Sequence, residues 1–142
     1  MKDNSESLQH FLEAHPGIEI FEVMLPDLAG GLRGKWVTRD KIDKVMAGAL
    51  KLPLSTAVFD VWGRDVEAWV FDTGDGDGRC EADIQTLAVV PWAERPTGQV
   101  MISMREVDGR PCGYDPRFLL GSLVQRFQAL GLTPVLASEM EF

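Results

Sequence analysis

Residues 18–37 set the terms for the rest of the chain. Two β-rich runs, IEIFEVMLP (18–26) and LRGKWV (32–37), flank the turn formers of PDLAGG (26–31), which is the pattern of a hairpin. A two-stranded hairpin is marginal in water, so its apolar face requires further strands or helices. The alternation slips at Ile20-Phe21, which indicates either a bulge or a strand buried on both faces.

The flanking sequence offers those partners. Asn4 or Ser5 can open a helix with Leu8, Phe11 and Leu12 on one face, ended by Pro16-Gly17. Thr38 or Asp40 can cap a second helix, in which Ile42, Val45, Met46 and Ala49 repeat at helical spacing while Lys41, Asp43 and Lys44 face water. Further on, the pattern predicts a loop entering a strand at AVFDV (57–61), a strand at VEAWVF (66–71) and a turn at DTGDGDG (72–78). Two more strands follow, IQTLAVVPW (84–92) and QVMISMREV (99–107). Asp115-Pro116 caps a helix carrying Leu119, Leu120, Leu123, Val124, Phe127 and Leu130 on one face and closed by Gly131. The final PVLASEMEF (134–142) alternates as a strand and stops without a turn or cap, so a longer protein is expected. The order implies an α+β fold, a mixed sheet of about five or six strands crossed by one central helix with flanking helices.

Composition narrows the function. The chain has 142 residues, 45% of them hydrophobic, so it can bury a core without staples. Its net charge of −8 repels nucleic acid phosphates and anionic membranes. Cys80 and Cys112 lack metal-ligand spacing and read as inert thiols in a reducing compartment. No apolar run reaches the ~20 residues of a membrane span, and the polar N-terminus is not a signal peptide, so a cytoplasmic protein is expected.

Several residues could carry chemistry. Glu139 and Glu141 would share one strand face, about 6.6–7 Å apart along the chain, where they could meet Mg²⁺ or Mn²⁺. From spacing alone a solvated acidic face is the simpler expectation, with Leu136, Met140 and Phe142 anchoring the other side. In DTGDGDGRCEAD, aligning Asp75, Asp77 and Gly78 with a calcium-loop template leaves Thr73 and Ile84 at the terminal ligand positions, so a solvated hairpin tip is expected instead. LAGGLRGK (28–35) fits neither phosphate-loop pattern; its Arg33 and Lys35 could face an interface or a neighbouring carboxylate, but solvation is the simpler expectation. Asp60 is an edge residue or a site residue at the end of the sheet. Trp62 beside it could stack over a cation, although packing against the core is the simpler expectation. His10 and His15, five apart, do not share a helix face, and no Ser/His/Asp or Cys/His arrangement can be assembled.

Taken in order, D27-LAGGLRGK35, the FD pair at Asp60, ADIQTLAVVPW, GYDPRFLL and the terminal S-E-M-E-F resemble the N-terminal part of the glutamine synthetase family. The resemblance covers about residues 18–142. After the N-terminal helix read at 1–17, it implies a β-grasp domain at 18–112 and the start of a truncated catalytic domain at 113–142, including its first strand. It implies that Glu139 and Glu141 are metal ligands. Asp60 would be the loop aspartate that reaches the neighbouring subunit's active site and helps deprotonate the nitrogen donor. Where ammonia-using members carry D-G-S-S, this chain has Asp60-Val61-Trp62-Gly63. Together with LPLSTAVFDVWGRDVE, this looks more like the branch that γ-glutamylates amines such as putrescine, with Trp62 contacting substrate. The implied protein joins glutamate to ammonia or, more plausibly here, to an amine or polyamine through γ-glutamyl phosphate. It would use ATP with Mg²⁺ or Mn²⁺, in a homo-oligomeric ring. The ATP- and glutamate-binding residues are absent from this stretch, so the chain alone should be inert. The alternative from the residues is an acidic β-grasp module that binds a partner protein at a sheet edge.

Overall fold

The computed structural model describes residues 4–141, without the side chains of 71–73. The expected anchoring by Phe142 lies outside the described residues. Among the described residues four α-helices, α1 (Asn4–Ala14), α2 (Ile42–Met46), α3 (Glu67–Thr73) and α4 (Pro116–Ala129), accompany six strands. The strands are β1 (Ile20–Pro26), β2 (Leu32–Thr38), β3 (Lys51–Pro53), β4 (Asp77–Ala82), β5 (Ala88–Val89) and β6 (Thr97–Arg105). They form one mixed sheet in the order β2-β1-β6-β4-β3, with β5 also paired to β6. The β1–β6 pair is parallel and the others are antiparallel. This is the α+β architecture expected from the sequence.

The hairpin forms as its pattern predicts. β1 and β2 pair in unbroken register from Ile20↔Thr38 to Pro26↔Leu32, so the slip at Ile20-Phe21 is not a bulge. Phe21, Val23 and Leu25 point into the core, while Ile20, Glu22 and Met24 are half-buried on the opposite face. Val100, Ile102, Met104 and Cys80 extend the buried face across β6 and β4. Leu8 of α1 and Ile42 and Val45 of α2 cover it, making one continuous core. The second helix is shorter than its apolar period suggested: a 3-10 turn at Arg39–Lys41 leads in, and α2 stops at Met46. Arg39 donates to the carbonyls of Leu12, His15 and Ile18, which ties the otherwise orphaned end of α1 to this turn.

Four local expectations are overturned. AVFDV forms no strand; the chain leaves β3 through a 3-10 turn (Leu54–Ala57) into an irregular loop. VEAWVF is helical, not extended: α3 ends on Gly74 in the left-handed region (φ 69°), and Trp69 packs edge-on against Tyr114 with ring centroids 5.1 Å apart. The turn formers Asp77 and Gly78 open β4. A Cβ on Gly78 would lie 2.7 Å from the Arg105 carbonyl oxygen and 2.8 Å from Leu54 and Met104 side-chain atoms, so close packing rather than turning requires glycine there. IQTLAVVPW reduces to a 3-10 turn at Ile84–Thr86 and the two-residue β5, and β6 begins earlier than expected, at Thr97.

The C-terminal stretch also differs from expectation. Residues 133–141 have no strand or helix, so the described part of PVLASEMEF is not a strand. α4 is capped as predicted: the Asp115 carboxylate accepts from the backbone N–H groups of Arg117 and Phe118, and Gly131 takes φ 72° after the helix. Asp115 Oδ2 also accepts from Met104 N–H at 2.7 Å, fastening the start of α4 to β6. Beyond that point Leu119, Leu120, Leu123, Phe127 and Leu130 are exposed.

Candidate functional site: the Asp60 loop

Two loops meet at one end of the sheet. The first is the hairpin turn between β1 and β2. Its Asp27 side chain has no exposure, and its carboxylate is held from two sides: Oδ1 accepts from Gly31 N–H at 2.6 Å and Oδ2 accepts from Arg33 Nε at 2.7 Å. A buried carboxylate needs this compensation, since desolvation without a partner is costly. The pair therefore settles the open reading of Arg33 in favour of a neighbouring carboxylate.

The second loop carries Asp60. Ser55, at its entry, donates both its backbone N–H (2.8 Å) and its hydroxyl (3.0 Å) to the Asp75 carboxylate, which the calcium-loop alignment had placed as a ligand. Leu28 N–H donates to the Ala57 carbonyl at 3.0 Å, linking the two loops directly. Residues 60–64 then fold back on themselves. Asp60 N–H donates to the Arg64 carbonyl, and Gly63 N–H donates to the Asp60 carbonyl. Asp60 Oδ1 accepts from the backbone N–H groups of Trp62 and Arg64, both at 2.8 Å. Gly63 supplies the left-handed residue (φ 76°) that this reversal requires. Asp60 is half-buried on this loop and outside the core.

Trp62 does not pack into the core: it is 79% exposed, and Val61 is 77% exposed. An indole and an isopropyl group presented to solvent beside a fixed carboxylate form a surface suited to a cation with an apolar stem. The loop's own backbone holds Oδ1, and Oδ2 accepts no hydrogen bond among the described residues. Sequence reasoning left Asp27 among the turn formers and passed over Phe59 and Ser55. The available signal was an Asp six residues before an Arg across a hairpin turn.

The other site residues are elsewhere. Glu139 and Glu141 are exposed on the irregular 133–141 stretch. Among the described residues no group of three or more His, Cys, Asp or Glu is placed to hold a metal ion. Two carboxylates supply only part of the roughly six oxygen donors that Mg²⁺ takes. Cys80 and Cys112 are buried, and burial pushes the Cys80 thiol up to about 11 and raises that of Cys112, so neither supplies a thiolate near neutrality. No helix among the described residues is long and apolar enough to cross a membrane.

No family model matches the chain. It is 32% identical over 142 residues to gamma-glutamylputrescine synthetase PuuA of Escherichia coli (strain K12), covering 97% of this chain and 29% of that protein. It is 28% identical over 141 residues to the glutamate–isopropylamine ligase of a Pseudomonas species, covering 95% of this chain and 30% of that one. The glutamine synthetase of Thermotoga maritima is 24% identical over 139 residues, covering 96% and 29% respectively. The fold matches the GmaS/ADP complex with a TM-score of 0.68 at 24% identity, over 92% of this chain and 26% of that one. The chain thus spans less than a third of the length of the curated relatives it matches. Over nearly its whole length, and in its fold, the chain is similar to members of the glutamine synthetase family.

Proposed function

We propose that this chain is the N-terminal part of a cytoplasmic, ATP-dependent ligase that joins the γ-carboxylate of glutamate to an alkylamine or polyamine. In this reading the γ-carboxylate takes the terminal phosphoryl group of ATP to give γ-glutamyl phosphate. The amine nitrogen then attacks the acyl carbon, and phosphate leaves. An alkylamine is protonated in neutral water and has no free lone pair, so an anionic group must hold it and accept its proton. Asp60 takes that role, acting in the active site of a neighbouring subunit of a homo-oligomeric ring. Trp62 and Val61 contact the methylene stem. Residues 18–112 form the β-grasp unit and 113–142 open the catalytic unit. Glu139 and Glu141 contribute to a Mg²⁺ or Mn²⁺ site whose other donors lie elsewhere in the whole protein.

The observation that carries this reading is the fixed Asp60 carboxylate beside the exposed Trp62 indole on one loop. It is supported by relatives named for putrescine and isopropylamine. Ammonium is compact and strongly hydrated and gains little from an indole. An alkylammonium gains apolar contact and a cation–π attraction of about 0.5–2 kcal/mol. The test is glutamate- and ATP-dependent phosphate release by the enzyme expressed from its full reading frame, with ammonium and with a panel of alkylamines and polyamines. A higher kcat/KM for at least one amine than for ammonium is expected. Preference for ammonium would overturn the choice of nitrogen donor, and absence of release with every donor would overturn the ligase reading.

A further inference from the structure

We propose that Arg33 is a positioning residue that sets the pose of Asp60, acting as a rigid brace between the hairpin turn and the Asp60 loop. This rests on the reading of Asp60 as the amine-facing carboxylate. One edge of the guanidinium is fixed by the 2.7 Å bond from Nε to the buried Asp27, whose other oxygen is tied to the Gly31 backbone. Its central carbon lies over the Phe59 ring, 5.3 Å from the centroid. Its terminal nitrogens reach the far side of the loop, where a Cβ added to Gly63 would stand 3.1 Å from one of them. Arg33 therefore touches the loop just before Asp60 and again three residues after it.

Three separate contacts make this a brace rather than a simple charge pair. With Nε held on Asp27, the group spans from the hairpin turn to Phe59 and Gly63, so the loop cannot move away from the turn without losing the cation–π contact. Asp27 cannot release it cheaply, because its side chain is fully buried and would be left as an uncompensated charge. Ser55 on Asp75 and Leu28 on Ala57 anchor the loop's entry, and Arg33 anchors the part that carries the carboxylate. A lysine at position 33 could keep the charge on Asp27. It has no plane to lay over Phe59 and no second nitrogen to set against Gly63.

The experiment compares Arg33→Lys and Phe59→Leu with the wild type in the full-length enzyme, measuring kcat, the KM for the preferred amine, the KM for glutamate and the melting temperature. Phe59→Leu leaves the Asp27–Arg33 pair intact and decides the matter if Arg33→Lys does not fold. A displaced catalytic group costs up to ~100-fold, so a fall of about tenfold in kcat/KM for the amine is expected, carried mainly by its KM, with the glutamate KM unchanged. If both variants lose activity only in proportion to melting temperature, with both KM values unmoved, Arg33 is a structural residue and the inference is wrong. Asp60→Asn in the same assay separates the two levels. An unchanged amine KM in Asp60→Asn overturns the underlying reading of Asp60, and this inference with it. A raised amine KM there, with none in Phe59→Leu or Arg33→Lys, overturns the brace alone.

Discussion

The two regions that carry the candidate carboxylates are built in opposite ways. Asp60 sits on a loop whose entry, middle and return are each held by this chain's own residues: Ser55 on Asp75, Arg33 against Phe59 and Gly63, and the Asp60 carboxylate on the backbone of Trp62 and Arg64. Glu139 and Glu141 sit on a stretch with no strand and no helix, exposed at every described residue but Pro134. Between the regions stands Asp115, which fastens the start of α4 to the sheet, after which Leu119, Leu120 and Leu123 face outward. The contrast teaches that Asp60 is pre-organised by contacts within this chain. The pose of the two glutamates is set by nothing among the described residues.

The largest expected difference between the regions is in amide exchange. Amides of β1 and β6, paired on both sides over the buried face, should exchange only through global opening, whereas those of 133–141 should exchange nearly as an open chain. A protection ratio of at least ~1000-fold is expected for a domain of ordinary stability. Hydrogen exchange read by mass spectrometry or NMR measures it, and slow exchange across 133–141 would break the comparison by revealing a pairing the structure does not contain.

A smaller effect is expected at the junction. Asp115→Ala removes the acceptor for Met104 N–H and the cap of α4 while leaving the Asp60 loop untouched. A buried donor left unsatisfied together with a lost cap costs about 2–3 kcal/mol, read as a lower urea midpoint. A loss of under ~0.5 kcal/mol would mean that the start of α4 is not fastened by this carboxylate, because changes that small are typical of inconsequential surface positions.

What the sequence discloses follows from how local each signal is. The hairpin of 18–38 and the Asp115-Pro116 cap are legible because turn residues, alternation and capping act over a few residues. α3 reads as extended in the sequence because V-E-A-W-V-F is rich in β-branched and aromatic residues, while Gly74 closing a helix and Tyr114 receiving Trp69 lie outside that window. β4 hid inside a run of Asp and Gly because Gly78 answers to Arg105, Leu54 and Met104, all distant in sequence. PVLASEMEF has the period of a strand but no neighbouring strand, and period without a ladder leaves 133–141 irregular. At the site, Asp60 and Trp62 could be singled out from the sequence, but the exposure of the indole and the Asp27–Arg33–Phe59 contacts exist only once two loops are brought together.

The most direct test of the account is the ratio of kcat/KM for the preferred alkylamine to that for ammonium, measured in wild type and in Trp62→Ala. Trp62 is fully presented to solvent at the tip of a loop fixed by other residues, so removing its ring should not disturb the fold. Loss of a cation–π and apolar contact of about 0.5–2 kcal/mol should lower the ratio between ~2-fold and ~30-fold, with turnover of ammonium kept. An equal fall for both nitrogen donors would contradict the account, because it would make Trp62 a structural residue and leave the Asp60 loop without a basis for recognising an amine.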